Sequence, residues 1–398
     1  MAVAPFCRKI ILDPTAKRVL YRRDRRVRRA IHENLCVLCV LCGEFLQWTH
    51  PSRLDIWVGE EYLLGRRFSD LQPRKEVYMP VEIPVEQWPG RVLEETIGAT
   101  PAEGGTRSRV VKVGGENTLP FMLTDGEMPN PPRIAIEIAD RRPDDWSPLL
   151  LEAWGDVVND PAKWAKAAEE AGADLVLLQL SLTRDGGQPT TAADAKALTR
   201  AVLQATGLPI LVFGPGQVDA DNELLVAVAE EAAGERIVLG ICEEKNYRTI
   251  VAAALANGHL VNGRTAMDVN LAKQLNILIA DMGLPLDRII MDPTTASLGY
   301  GIEYGYSVME RLRLAALQGD KMTQLPMLVT PGFEAWRQKE AKVGEGVPAS
   351  WGDWRQRAVL WETLTATNLI LSGADIVVLR HPETVKRVRA FIERLMAQ

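Results

Sequence analysis

The sequence predicts an α/β chain: a (β/α)8 TIM barrel preceded by an N-terminal hairpin and linker arm and by an N-terminal extension of uncertain status. Three observations point there. Eight apolar runs of strand length lie between residues 133 and 398, helical patterns separate them, and the span is that of a barrel of about 250 residues. The runs are apolar on both faces, as strands of a parallel sheet covered by helices must be.

The strands are expected at RIAIEIA (133 to 139), DLVLLQL (174 to 180), PILVFG (209 to 214) and RIVLGIC (236 to 242). Four more follow at HLVNGRT (259 to 265), RIIMDP (288 to 293), PMLVTPG (326 to 332) and DIVVLRH (375 to 381). Between the first two, NDPAKWAKAAEEAGAD offers Asn159 or Asp160 as a helix cap, Pro161 in the first turn and Gly172 past the end. Further helices read at ADAKALTRAVLQATG, NELLVAVAEEAAG, NYRTIVAAALANG, MDVNLAKQLNILIADMG, SVMERLRLAALQG and RAVLWETLTATNLILSG, with PETVKRVRAFIERLMAQ closing the chain. AGADLVLLQL (171 to 180) and SGADIVVLRH (372 to 381) repeat one helix-to-strand junction. A doubly wound open sheet is the competing architecture. No G-x-G-x-x-G follows the first strand and no G-x-x-x-x-G-K-S/T occurs, so the nucleotide motifs that often accompany such sheets are missing.

Upstream the texture differs. Residues 1 to 77 carry 15 Lys and Arg against 9 Asp and Glu, leaving 31 against 43 for the remainder. This break sets three segments: a basic, cysteine-containing extension (1 to 77), a linker and β-hairpin arm (78 to 132) and the barrel (133 to 398). The extension is expected to be an unfolded segment, a real extra segment or the result of an upstream start-codon misassignment. MPVEIPVEQWPG reads as an extended linker, and GGTRSRVVKVGGENTLPFML (104 to 123) as a short strand followed by a glycine turn. Leu119, Pro120 and Phe121 should be buried there. That arm either plugs the bottom of the barrel, reaches a partner, or packs in an ordinary way.

Composition excludes several classes. A net charge of −6 gives no general case for nucleic acid or an anionic membrane as partner, and RRDRRVRR reads as a solvated charge run. LCVLCVLC is too short to span a bilayer and lacks a cleavage site. Four of five cysteines (Cys7, Cys36, Cys39, Cys42) lie in the extension, so a disulfide framework is not expected and the barrel reads as cytoplasmic. The C-x-x-C-x-x-C spacing is compatible with an iron-sulfur ligand set or with one side of a small apolar helix.

In a barrel, function belongs to the loops after the strands. The loop after the sixth strand, within MDPTTASLGYGIEYGYSVMERLRLAALQGDKM (291 to 322), carries Gly299, Tyr300, Gly301, Glu303 and Tyr304 and exceeds an ordinary connection. Other strand ends supply Glu243, Glu244, Lys245 and Asn246; Asn262, Arg264 and Asp268; Asp292 and Thr294; Thr330, Pro331 and Gly332; Arg380 and His381. Each has a structural alternative: Asn246 as a helix cap, Asp292 as a turn former, Glu244 and Lys245 as solvated charges. No Ser-His-Asp set stands in its usual context and H-E-x-x-H is absent. Lys245 alone lies near a Schiff-base position, in a charged setting. Such a quiet face suits a protein that holds a reactive cofactor or substrate rather than attacking one.

GGENTLPF (114 to 121), EKNY (244 to 247), LAKQLNILI (271 to 279), DPTTASLGYGIEYGYSVMERLRLAALQGDKM (292 to 322), GFEAWRQKEA (332 to 341) and LRHPE (379 to 383) occur in one order. Together they resemble the small, or delta, subunit of the corrinoid iron-sulfur protein of the acetyl-CoA decarbonylase/synthase system, from about Met79 to the C-terminus. The resemblance implies a (β/α)8 barrel paired with a large (gamma) subunit that carries an iron-sulfur cluster and a corrinoid domain. It also implies a corrinoid (cobalamin) cofactor shared between the two, with the cluster not on this chain. The cobalt would take a methyl group from a methyl-pterin through a separate methyltransferase and pass it to acetyl-CoA synthase. No D-x-H-x-x-G occurs, so this chain offers no axial imidazole of that kind. Carried over by motif, Leu298, Gly299, Tyr300, Gly301, Glu303 and Tyr304 would lie against the corrin, with Asn246, Asp292 and Thr294 lining the same mouth. Ala296 and Ser297 stand where small residues, often glycine, are expected. The alternatives are a pterin-dependent methyltransferase acting on its own, using Asn246, Asn262 and Asp292, and an aldolase-like barrel, for which an interior lysine is lacking.

Overall fold

The computed structural model describes residues 84–123, 125–184, 186–295 and 298–397. The extension 1–77 with its four cysteines, the start of the linker, and Ala296 and Ser297 lie outside the described residues. Strands β1 (Glu95–Ile97) and β2 (Val111–Val113) pair antiparallel. Eight parallel strands follow: β3 (Arg133–Ala139), β4 (Leu175–Gln179), β5 (Ile210–Phe213), β6 (Val238–Cys242), β7 (Leu260–Arg264), β8 (Ile289–Asp292), β9 (Leu328–Val329) and β10 (Ile376–Leu379). They pair in the order β8, β7, β6, β5, β4, β3, β10, β9. A parallel bridge between Met291 and Met327 brings β8 to the foot of β9 and completes the ring. Every one of the eight apolar runs thus contains a barrel strand.

The helices lie between them. After β3 come α1 (Pro148–Trp154) and α2 (Pro161–Glu170); after β4 to β8 come α3 (Ala192–Ala205), α4 (Val218–Glu231), α5 (Tyr247–Asn257), α6 (Val269–Asp281) and α7 (Ile302–Leu317). The β9 to β10 crossover holds α8 (Pro331–Ala335), α9 (Lys339–Lys342) and α10 (Trp354–Leu371), and α11 (Pro382–Met396) ends the chain. Asp160, not Asn159, caps α2: its carboxylate accepts from the backbone N–H groups of Ala162 and Lys163, two donors the first turn leaves unpaired. The short helices α1, α8 and α9 have too few turns to show a periodic pattern in sequence.

Side chains alternate across each strand. Ile134, Ile136 and Ile138 of β3 face outward onto the helices, where Trp146, Trp154 and Trp164 pack edge to face or tilted. The inward set (among them Ala135, Leu175, Leu177, Leu211, Phe213, Val238, Leu260, Ile290, Leu328, Ile376 and Val378) fills the barrel. Ile97, Val111 and Val113 of the hairpin belong to this inward cluster. The arm is therefore the plug of the barrel's N-terminal end. Its backbone is stitched to the loops that enter the strands, Leu93 N–H to Gln324 O, Gly98 N–H to Arg236 O and Ser108 N–H to Gly207 O. Leu119 and Pro120 are partly and fully covered, but Phe121 is 50% exposed. The Thr118 hydroxyl donates to Met122 O at 2.7 Å, closing a turn that swings Phe121 away from the core.

Two buried guanidinium groups fasten the plug. Arg107 donates to Glu235 (2.8 Å) and to the carbonyls of Thr206, Leu208 and Leu203. Arg313 of α7 pairs with Glu116 (2.6 Å) and Asp375 (2.8 Å), joining the turn after β2 to the start of β10. Burial pushes the Glu116 carboxyl up to about 8, against the pull of Arg313. Glu95 of β1 is also fully enclosed with neither carboxyl oxygen hydrogen-bonded, and burial raises it well above the ordinary range. Replacing Arg313 by Met leaves Glu116 and Asp375 without their cation, so the unfolding free energy should fall by about 3 to 5 kcal/mol in denaturant titration.

His259, at the foot of β7, accepts the Ile237 N–H on Nδ1 and meets Ala229 O through Nε2, so it sits neutral, and burial lowers it to about 4. The unfolded chain then binds the extra proton between about pH 6.5 and 4, and this histidine's contribution to stability shrinks as pH falls through that window. The stability difference between the native chain and His259→Gln, followed by urea unfolding from pH 7 to 4, should narrow accordingly.

Candidate binding site at the mouth of the barrel

At the C-terminal ends of the strands the inward register changes from apolar to polar. Glu137 of β3, Gln179 of β4, Arg264 of β7 and Thr330 and Arg380 after β9 and β10 line a cleft of about 800 Å3 with Phe213, Ile241, Phe333 and Trp146. Its floor is the ion pair between Arg380 and Glu137, at 2.8 Å through Nε and 2.5 Å through Nη2, both side chains more than nine-tenths buried. The Arg380 guanidinium lies 4.4 Å from the Trp146 ring centroid and 5.1 Å from that of Phe333. Cation–π contact of this kind strengthens when water is excluded.

The base of that arginine is fixed from behind. Its backbone N–H donates to Glu362 of α10 (2.6 Å), whose other oxygen accepts from the Thr384 hydroxyl (2.7 Å). His381 caps α11 by accepting the Glu383 N–H on Nδ1 and stacks on Trp336 at 5.7 Å; burial lowers it to about 4, so it stays neutral. On the rim, Asp140 accepts from the Ser181 hydroxyl and backbone N–H, both at 2.6 Å.

The residues singled out in the sequence fall into two groups. Asn246, Asp292 and Thr294 build their own turns. Asn246 accepts the Glu243 N–H (2.7 Å) and donates to Ile241 O (3.0 Å); Asp292 accepts the Thr294 N–H (2.8 Å); the Thr294 hydroxyl donates to Thr265 O. Thr294 has φ 64°, an uncommon conformation for a β-branched residue that these bonds hold in place. Asp292 is enclosed, and burial lifts its carboxyl to about 6 against the attraction of Arg264. Arg264 itself pairs with Glu243 (2.8 Å). None of the three is on the lining of the large cleft.

The second group is the loop after β8. Leu298–Tyr300 form one 3-10 turn, Gly301 has φ 115°, and α7 starts at Ile302. Tyr300 is 79% exposed and Tyr304 57%, with Glu303 exposed between them. Leu298 is half-buried. Met267 and Leu271, at the start of α6, are also exposed, so large side chains stand uncovered at the ends of two successive crossovers. Lys245 is exposed.

Glu137, Gln179, Trp146, Phe213 and Phe333 were not among the sequence candidates. A signal existed for two of them: Glu137 interrupts the apolar stretch of RIAIEIA two residues before its end and Gln179 closes LVLLQ, both in the inward register. Trp146 and Phe333 come together only through the fold.

The closed ring of parallel strands, its filled bottom and its polar mouth define a (β/α)8 barrel of the kind that takes its ligand at the C-terminal face. Residues 96–391 match the family described as CO dehydrogenase/acetyl-CoA synthase delta subunit. The acetyl-CoA decarbonylase/synthase complex subunit delta of Archaeoglobus fulgidus is 40% identical over 313 residues, 75% of this chain and 67% of that protein. Its counterpart from Methanopyrus kandleri is 39% identical over 308 residues, 76% and 75% of the two chains. The chain belongs to this delta-subunit family. Among solved structures it is similar to a dihydropteroate synthase of Xanthomonas albilineans with 4-aminobenzoic acid, at 14% identity and TM-score 0.48, covering 70% of this chain and 98% of that one. Among the described residues no helix is long and apolar enough to cross a membrane.

The ion pair at the cleft floor makes a testable contribution. Glu137→Ala leaves a buried guanidinium uncompensated and should cost about 3 to 5 kcal/mol in unfolding free energy. Adding Arg380→Met should recover part of that loss, which a double-mutant cycle in denaturant would measure.

Proposed function

We propose that this chain is the barrel subunit of a corrinoid methyl carrier, covering a corrinoid held jointly with a large iron-sulfur subunit. In this role a methyl group moves from a methyl-pterin, by way of a separate methyltransferase, to acetyl-CoA synthase. The observation that carries the reading is the exposed rim after β8 in a delta-subunit chain: Tyr300 and Tyr304 stand 79% and 57% exposed beside Glu303. Exposed large apolar surface of this kind marks an interaction site.

The residues present suit a corrinoid. When bound, the corrinoid supplies the cobalt centre that receives and gives up the methyl group. Tyr300 and Tyr304 offer broad, flat cover that excludes water, and Glu303 can accept hydrogen bonds from peripheral carboxamides. Gly299 and Gly301 let the backbone approach closely, Gly301 through its positive φ. Leu298 supports this turn from within. Asp292 and Thr294 act one step back, their hydrogen bonds spent on the turn that leads to the rim, while those of Asn246 close the turn after β6. Positioning without an own nucleophile suits chemistry that belongs to the cofactor.

The test is co-expression of the full chain with and without a corrinoid iron-sulfur large subunit, recording cobalt content and the visible spectrum. A stoichiometric corrinoid in the pair and little cobalt on the chain alone is the expected result. Tyr300→Ala with Tyr304→Ala should lower cobalt retention several-fold without changing the melting temperature of the isolated chain. The reading fails if the chain alone binds methyltetrahydrofolate and methylates free cobalamin, which would make it a methyltransferase in its own right.

A further inference from the structure

The cleft at the mouth shares no lining residue with the rim after β8. Its volume of about 800 Å3 lies within the range of small-molecule sites. Arg380 spends Nε and Nη2 on Glu137, while Nη1 has no hydrogen-bond partner on a side chain more than nine-tenths buried. Arg264 likewise commits Nε and Nη2 to Glu243 and keeps Nη1 free. Arg141, half-buried on the same wall, makes no ion pair among the described residues. Among the described residues these N–H groups have no hydrogen-bond acceptor, although the carboxylates of Asp144 and Asp145 stand on the same lining. The same lining carries apolar surface, with Leu182 and Phe333 exposed by 38% and 40%.

We infer that this cleft is a second binding site, for a small molecule that is a flat aromatic or heteroaromatic ring bearing a carboxylate. The carboxylate satisfies the free guanidinium donors, for which planar bidentate geometry is suited. The ring replaces water against Leu182 and Phe333. A bare inorganic anion would leave that apolar wall wet, and an uncharged ring would leave Arg380 Nη1 unpaired in a confined site.

The inference does not rest on the corrinoid reading, because its test uses the full chain with neither corrinoid nor large subunit present. Benzoate serves as the probe, titrated calorimetrically. The expected result is one site of sub-millimolar to millimolar affinity, as for small fragments, weakened at least fivefold by Arg141→Gln and lost in Leu182→Glu. Both substitutions are at partly exposed positions, and circular dichroism checks that each variant folds. Inorganic phosphate should bind more weakly than benzoate. Absence of benzoate binding, or binding that both variants retain, overturns the site; phosphate binding as tightly as benzoate overturns its aromatic half.

Discussion

A closed ring of eight parallel strands has two ends and an interior that must be filled. In this chain the inward side chains of the strands do not fill it alone. Ile97, Val111 and Val113 complete the cluster from below, so the hairpin is part of the core although it precedes the barrel in sequence. The charges follow from that choice. A hairpin inserted under a barrel brings its turn and its flanking chain into a dry region, where Glu116 and Arg107 meet Arg313, Asp375 and Glu235. Ion pairs in such places contribute little net stability against an apolar alternative, but they penalise any other register strongly, since a slip leaves a charge enclosed and alone. They specify where the plug sits.

The opposite end is governed by the same constraint with the opposite result. Among the described residues no segment of the arm reaches the mouth, and the last inward residues there are polar. The chain nonetheless holds one cation rigidly there. Arg380 is fixed by Glu137 through its head, by Trp146 and Phe333 over its faces and by Glu362 through its backbone. Strand β3 and two crossovers, β3 to β4 and β9 to β10, therefore set the position of one guanidinium. A group so constrained loses little conformational freedom on meeting a ligand, which is the condition for a preorganised site.

The barrel was legible in the sequence because the strands are covered on both faces and read as predominantly apolar runs, bounded by residues such as Asp160 and Pro161 that start helices for local reasons. The plug was half legible. The glycine turn at Gly114 and Gly115 showed, both with positive φ, but β1 is three residues long and Phe121 pointed the wrong way. Among the candidate site residues, the exposure of Tyr300, Glu303 and Tyr304 was foreshadowed in the sequence, because aromatic and acidic side chains beside glycines exceed what a plain connection needs. Asn246, Asp292 and Thr294 could be read either way from sequence for a physical reason: residues that form tight turns and residues that bind ligands are the same short polar types, and here their hydrogen bonds lie within the turns. The Trp146, Arg380 and Phe333 cluster joins positions more than two hundred residues apart and leaves no local pattern.

That division bears on function. If the turn formers carried the ligand, removing them would disturb fold and binding together and nothing could be assigned. In the observed arrangement the hydrogen bonds of Asn246 and Asp292 are internal, while Tyr300, Glu303 and Tyr304 are exposed. Stability and recognition are thus separated along the loop after β8. The turn at Asp292 and Thr294 bears the strain, and the segment beyond it is free to be chosen for what it covers.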